Sequence, residues 1–164
     1  MKNGWLFAGG LLSAAAAVLH MGCILGGPSW YRFFGAGEAL ARLAERGSPT
    51  PALYAGAIAA VLWVWAAYAF SGSGVLPRLP WLRPILVAVC GVYLLRAAAL
   101  PVLLAYATGP GRSAAFFIWS SLIVLVYGLV HAIGLATSWT DVRLAPRSGA
   151  VSYTHLTLPT IYSV

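Results

Sequence analysis

Arg96, with Tyr93 one helical turn before it, lies inside an apolar run at residues 84–106 of this 164-residue chain. A guanidinium keeps its charge at any ordinary pH and offers five N–H donors in a planar fork. At mid-membrane it costs about 2.5–3.5 kcal/mol on insertion scales, so such a residue is usually retained for a purpose. Glu38, Glu45 and Asp141 are the only acids, and none lies in an apolar run. The chemistry on offer is therefore the holding of an anion, either a lipid phosphate or a carboxylated substrate. The bland alternative is a snorkelling arginine, or one satisfied by neutral oxygens. Tyr127 is expected at similar depth on the antiparallel fourth span. Pro101 cannot donate a backbone hydrogen bond, so it frees the carbonyl of Ala97 and can kink the helix. Glu38 reaches Arg96 only if the first loop dips inward.

His20 and His131 raise the question of a haem or metal pair. His20 shares a helical stripe with Gly9, Ser13 and Ala17, and small residues mark close helix approach in membranes. His131 shares a stripe with Ser120 and Tyr127, with Gly128 beside it. Alternating spans put His20 near one end of its helix and His131 near the opposite end of its own. At about 1.5 Å per residue they differ in depth by more than about 10 Å, so one iron cannot take both as axial ligands. No cofactor and no metal is expected, and both histidines read first as hydrogen-bonded structural residues.

The densest local constellation runs over residues 26–38 and includes Trp30, Arg32 and Glu38. It can line a ligand site at the outer surface. It can equally form an aromatic belt, with Arg32 on lipid headgroups. The belt is the plainer reading.

The elements that must position these groups follow from composition. Hydrophobic residues make up 61% of the chain and charged residues 8%, with mean hydropathy +0.86. Soluble domains carry about 25% charged residues, so lipid must be the solvent for most of this surface. The +7 formal charge comes from single basic residues scattered along the chain. No cluster lines up phosphates, and nucleic acid is excluded as a partner.

Crossing the hydrocarbon core takes about 20 apolar residues. Residues 5–25, 51–70, 84–106 and 114–137 qualify. The expected fold is an all-α membrane protein: a four-transmembrane-helix bundle forming one domain over residues 1–145. Residues 29–46 read as an amphipathic interfacial helix between the first two spans, with Trp30, Phe33 and Phe34 towards the acyl chains. Gly35 and Gly37 weaken it and permit a bend or a re-entrant path. Lys2, Arg78, Arg83, Arg143 and Arg147 flank one side, and Arg32, Arg42, Arg46 and Arg112 the other. This narrow excess favours both termini in the cytoplasm.

Cys23 and Cys90 fit no metal or redox spacing and read as buried thiols at opposite depths. The stretch before Cys23 faintly resembles a bacterial lipoprotein signal. His20 and the apolar continuation to Leu25 argue against cleavage. Residues 146–164 are expected to be a disordered tail. From residue 151 the string VSYTHLTLPTIYSV resembles translated sequencing-adapter read-through, which would deprive His155 of meaning.

Residues His20 through Glu38, followed by three further spans, resemble small uncharacterised four-span inner-membrane proteins of bacteria. That resemblance covers roughly residues 1–145. It implies a multi-pass inner-membrane location and the fold, and assigns no catalytic residues. Walker, GxSxG, HExxH and dinucleotide motifs are all missing. Two functional readings stand. The first is a membrane protein acting by binding or association, with membrane lipids, an anionic lipid or small amphiphile, or a second copy (through Gly56 and Ala60) as partners. The second is an enzyme or carrier for an amphiphilic anion, anchored by Arg96, with Glu38 or His20 handling protons.

Overall fold

The computed structural model describes residues 3–105 and 114–139. Tyr106, Lys2, Arg112, Arg143, Arg147 and the 146–164 tail with His155 lie outside the described residues. The chain forms α1 (Gly4–Phe33), α2 (Glu38–Glu45), α3 (Thr50–Gly72), α4 (Leu82–Ala98), α5 (Leu100–Ala105) and α6 (Ala114–Thr137). Four stretches are long and apolar enough to cross a membrane: Gly4–Phe33, Thr50–Gly72, Leu82–Ala105 and Ala114–Thr137. Helices are the expected answer, because a backbone in lipid must satisfy its own hydrogen bonds. Leu122, Ile123, Val126, Leu129 and Ile133 are all exposed along the outer face of α6. So continuous an apolar surface suits lipid and not water.

α1 begins on a strong cap. The Asn3 side-chain oxygen accepts from Trp5 N at 3.0 Å and Leu6 N at 3.1 Å. At 30 residues the helix is about 45 Å long, well beyond the ~30 Å hydrocarbon core. The excess is turned aside at Gly27, whose φ of 65° and ψ of −149° suit only glycine. Pro28 enforces the break by pushing its predecessor out of the helical region. Trp30 then folds back over Gly22 and Gly26, where a Cβ at Gly26 would run into the indole.

The amphipathic segment expected over residues 29–46 is therefore not one helix. Its first part is the end of α1 and its second is α2, joined through Gly35 (φ 70°) and Gly37 (φ 94°). Cys23, Tyr31, Ala41 and Ala55 form the buried seat of this elbow. A Cβ at Gly35 would run into the Phe116 ring, so the elbow also rests on the start of α6.

Small residues set the helix spacing. α3 turns Ala55, Ala59, Ala66 and Ala69 inward, and α1 answers with Gly9, Gly10, Ser13 and Ala17. The α1–α6 register follows from a carboxamide and two glycines. Asn3 Nδ2 donates to Gly134 O at 2.6 Å, Gly134 abuts Leu6, and Gly9 abuts His131. The seam continues to Ala17 and Val124 in one apolar cluster. α4 runs antiparallel to α6, with Leu94 against Gly128 and Arg83 over the Trp139 ring at 3.5 Å. Gly56 is nearest Ile24 of the same chain, whereas Ala60 is exposed. Cys23 belongs to the elbow cluster and Cys90 packs with Leu6 near the opposite end.

Candidate functional site

The bundle interior holds two polar layers. The deeper one draws on all four long helices. Ser13 Oγ and Tyr93 Oη lie 2.9 Å apart, both buried. Trp65 meets Tyr93 edge-on at 5.1 Å between centroids, and Tyr127 does so at 5.6 Å. His131 packs 5.3 Å from Tyr93 and is fully buried. Its Nδ1 lies 2.8 Å from Tyr127 O. A carbonyl can only accept, so Nδ1 carries the hydrogen and Nε2 is left with a lone pair in the neutral ring. Among the described residues that Nε2 has no hydrogen-bond partner.

The second layer contains Arg96, one turn from Tyr93 towards the elbow end. Arg96 is half-buried and donates from Nη1 to Ser121 Oγ at 3.2 Å. Ser121 is seven residues past Ala114, which places this layer about 10 Å inside the start of α6. Just beyond Arg96 the helix breaks: α4 ends at Ala98, and α5 begins at Leu100 ahead of Pro101. The break opens a groove of about 220 Å³ between α4–α5 and α6, lined by Leu94, Ala97, Leu100, Ser121, Leu122 and Leu125 among others. Ser121 is a polar residue of its lining and accepts from Arg96, which does not itself line the groove.

His20 comes near the level of this layer by register, with no contact to Arg96 or Ser121. Residues on α1 and α6 pair as Leu6 with Gly134 and Gly9 with His131, a constant sum that sets His20 level with residue 120. Eleven residues at 3.6 per turn also return His20 to within about 20° of the direction of Gly9. His20 is half-buried, and its Nδ1 lies 2.8 Å from Ala16 O. By the same reasoning as for His131, Nε2 of the neutral ring is an acceptor. The two histidines remain eleven residues apart along α1, or about 16 Å.

Glu38, Arg32 and Trp30 belong to the elbow, apart from this layer. Arg32 donates to Glu38 from Nε at 2.9 Å and from Nη2 at 3.0 Å, and to Glu45 at 2.7 Å. Arg42 donates to the same Glu38 at 3.1 Å. These ion pairs, Arg32's first, pull the Glu38 carboxyl down to about 2, so it stays ionised at neutral pH. It therefore neither reaches Arg96 nor serves as a proton donor there. The Arg32 fork is held by two carboxylates of its own chain, and Trp30 stacks near Phe34 at 5.7 Å.

Three functional side chains escape sequence reasoning or are misplaced by it. Ser121 is buried, while its neighbour Ser120, on the expected polar stripe, bonds back to Phe117 O at 3.1 Å. Ser13 lies on the expected small-residue stripe, but its tie to Tyr93 carries no sequence signal. Trp65 reads as one apolar residue among many. Among the described residues, no three His, Cys, Asp or Glu side chains converge as metal ligands would. The Arg96 layer combines a fixed cation, a hydroxyl and an aliphatic groove. It can hold an anionic headgroup with a chain alongside.

Comparison with family models, with curated proteins and with solved structures finds no match to this chain.

Proposed function

We propose that this chain is a small multi-pass protein of the bacterial inner membrane, with both termini cytoplasmic, that binds an anionic amphiphile between its helices. The observation that carries the reading is the Arg96 guanidinium, half-buried within a membrane-crossing stretch and donating to Ser121 in the lining of an apolar groove. A charge in such a position calls for a counter-charge, and residues 4–33, 50–72, 82–105 and 114–137 contain no Asp or Glu. An anionic headgroup supplies that charge, and the groove accepts part of its chain. Binding is the reading the groove supports: among the described residues no hydrogen bond joins the Ser121 hydroxyl to a base.

The test is thermal unfolding of the purified chain in neutral detergent with added dodecanoate, dodecyl phosphate or a zwitterionic amphiphile of the same chain length. Both anions are expected to raise the unfolding temperature of the wild type, and neither that of Arg96→Leu. Equal stabilisation of Arg96→Leu, or of the wild type by the zwitterion, overturns the proposal.

A further inference from the structure

We infer that the anion held in the Arg96 layer carries a long acyl chain, which runs along the outer α4–α6 face towards the termini and ends in a second groove over Cys90. This rests on the anion-binding reading above and adds the class of chain to the headgroup. Three observations lead to it.

The first is direction. In the groove beside Arg96, Ser121 is the polar residue, and the α6 lining continues from it to Leu122 and Leu125. Those steps lead towards the end of α6 and away from the elbow. Ala97 and Leu94 of the antiparallel α4 line the groove in the same direction. A headgroup at Ser121 thus finds apolar lining on its terminus side.

The second is continuity. A groove of about 440 Å³ lies further along the same helix pair, lined by Val87, Cys90, Ala132, Leu135, Ala136 and Trp139. On α4, Val87, Cys90, Leu94 and Ala97 recur at steps of three or four residues. On α6, Leu125, Ala132, Ala136 and Trp139 are spaced by seven, four and three. At 3.6 residues per turn each set stays on one face of its helix, so both grooves open to the same side. Cys90 and Leu135 belong to the buried cluster around Leu6, which fixes the floor of the second groove. Trp139 marks its far end, with Arg83 stacked on the ring at 3.5 Å. From Ser121 to Ala132 is eleven residues, or about 16 Å. The chains of one leaflet span about 15 Å, half the hydrocarbon core. A chain of ordinary membrane-lipid length therefore reaches the second groove, and one of half that length does not.

The third is Gly91, exposed on the same face of α4 between the two grooves. A Cβ there would meet nothing within 4 Å. Glycine weakens a helix interior, and here no packed neighbour requires it, whereas Gly128 receives Leu94. Glycine also lets a ligand approach the backbone closely, and a chain passing from one groove to the other does so at Gly91.

The experiment uses the full chain in neutral detergent with two photoactivatable hexadecanoates, one bearing its diazirine beside the carboxylate and the other at the chain end. Adducts are mapped by peptide mass spectrometry. The first probe should label the groove at Ala97, Ser121 and Leu125, and the second should label Cys90, Ala132 and Ala136. Both sets should fall to background in Arg96→Leu. Gly91→Leu, which fills the path with a side chain, should keep the first set and cut the second severalfold. The retained first set reports an intact fold, and the wild-type map locates the chain end without any variant.

Chain-end adducts clustered at Leu100 or at the start of α6, or spread evenly over the apolar surface, overturn the inference. The anion site then stands as long as the first probe still depends on Arg96. Adducts at Cys90 and Ala132 that persist unchanged in Gly91→Leu also overturn the inference. Labelling by both probes that is indifferent to Arg96→Leu sinks the anion site and the inference together.

Discussion

The two ends of this bundle solve the problem of polar groups in lipid in opposite ways. Towards the termini several polar side chains are matched within the chain. Asn3 caps α1 and reaches Gly134, Ser71 donates to Pro77 O and accepts from Leu79 N, and Ser13 meets Tyr93. Glycines there are filled by neighbours, as Gly134 is by Leu6. Towards the elbow a permanent cation faces a serine, the helix is broken at Pro101, and a groove remains. The same helices thus carry a closed half that fixes register and an open half whose cation meets no acid among the described residues. On the reading proposed above, matched polar groups hold the fold and the Arg96 charge is where an anion from outside binds.

If that division is right, substitutions in the two halves should move stability in opposite directions. The largest effect belongs to Gly134→Ala. Its Cβ would lie 2.8 Å from the Leu6 backbone nitrogen, which cannot step aside. A loss of about 3 kcal/mol, the upper end for overpacking, is expected in reversible unfolding in detergent. A loss below about 1 kcal/mol would show that the closed half is looser than described.

Next is Arg96→Leu, which removes the charge from the open half. Since such a charge costs about 2.5–3.5 kcal/mol on insertion scales, ligand-free protein should unfold at the same or a higher denaturant concentration than wild type. A clear destabilisation would move Arg96 into the structural half. Smaller again is Tyr93→Phe, which leaves Ser13 Oγ without its buried partner. Hydrogen bonds between membrane helices average about 0.6 kcal/mol with a maximum near 1.7, and the loss should fall in that range in the same assay.

The smallest effect is in the elbow and is pH-dependent. The Glu38 carboxyl is lowered from an ordinary 4.5 to about 2, chiefly by Arg32 and then by Arg42. A lowered carboxyl contributes stability that is fully present above its unfolded value and is lost as pH falls through the folded one. Amide exchange in α2 should therefore quicken between about pH 4.5 and pH 2 while α3 is unmoved. Glu38→Gln should abolish that transition. Because these side chains are exposed, the step should be small and weakened by salt.

Sequence alone carries the all-helical membrane bundle, because hydropathy over about 20 residues reports a requirement of the lipid core itself. It also carries Arg96 as the odd residue. It misjudges the elbow: residues 29–46 have helical spacing throughout, yet Gly35 and Gly37 at positive φ divide them. Glu38–Arg42 is legible as an i,i+4 pair, whereas the tie from Arg32 to both Glu38 and Glu45 needs the fold. Ser120 and Ser121 are adjacent and chemically identical, and only the rotation of α6 against α4 decides which one meets Arg96. Register between helices comes from glycine contacts that no linear period encodes.

The most direct test of the central claim is native mass spectrometry of the full chain, purified in mild detergent without added lipid. A bound anionic amphiphile is expected on the wild type, retained less by Arg96→Lys and lost from Arg96→Leu, with folding intact in both. A bare wild-type chain, or an adduct of equal occupancy on Arg96→Leu, would contradict the account.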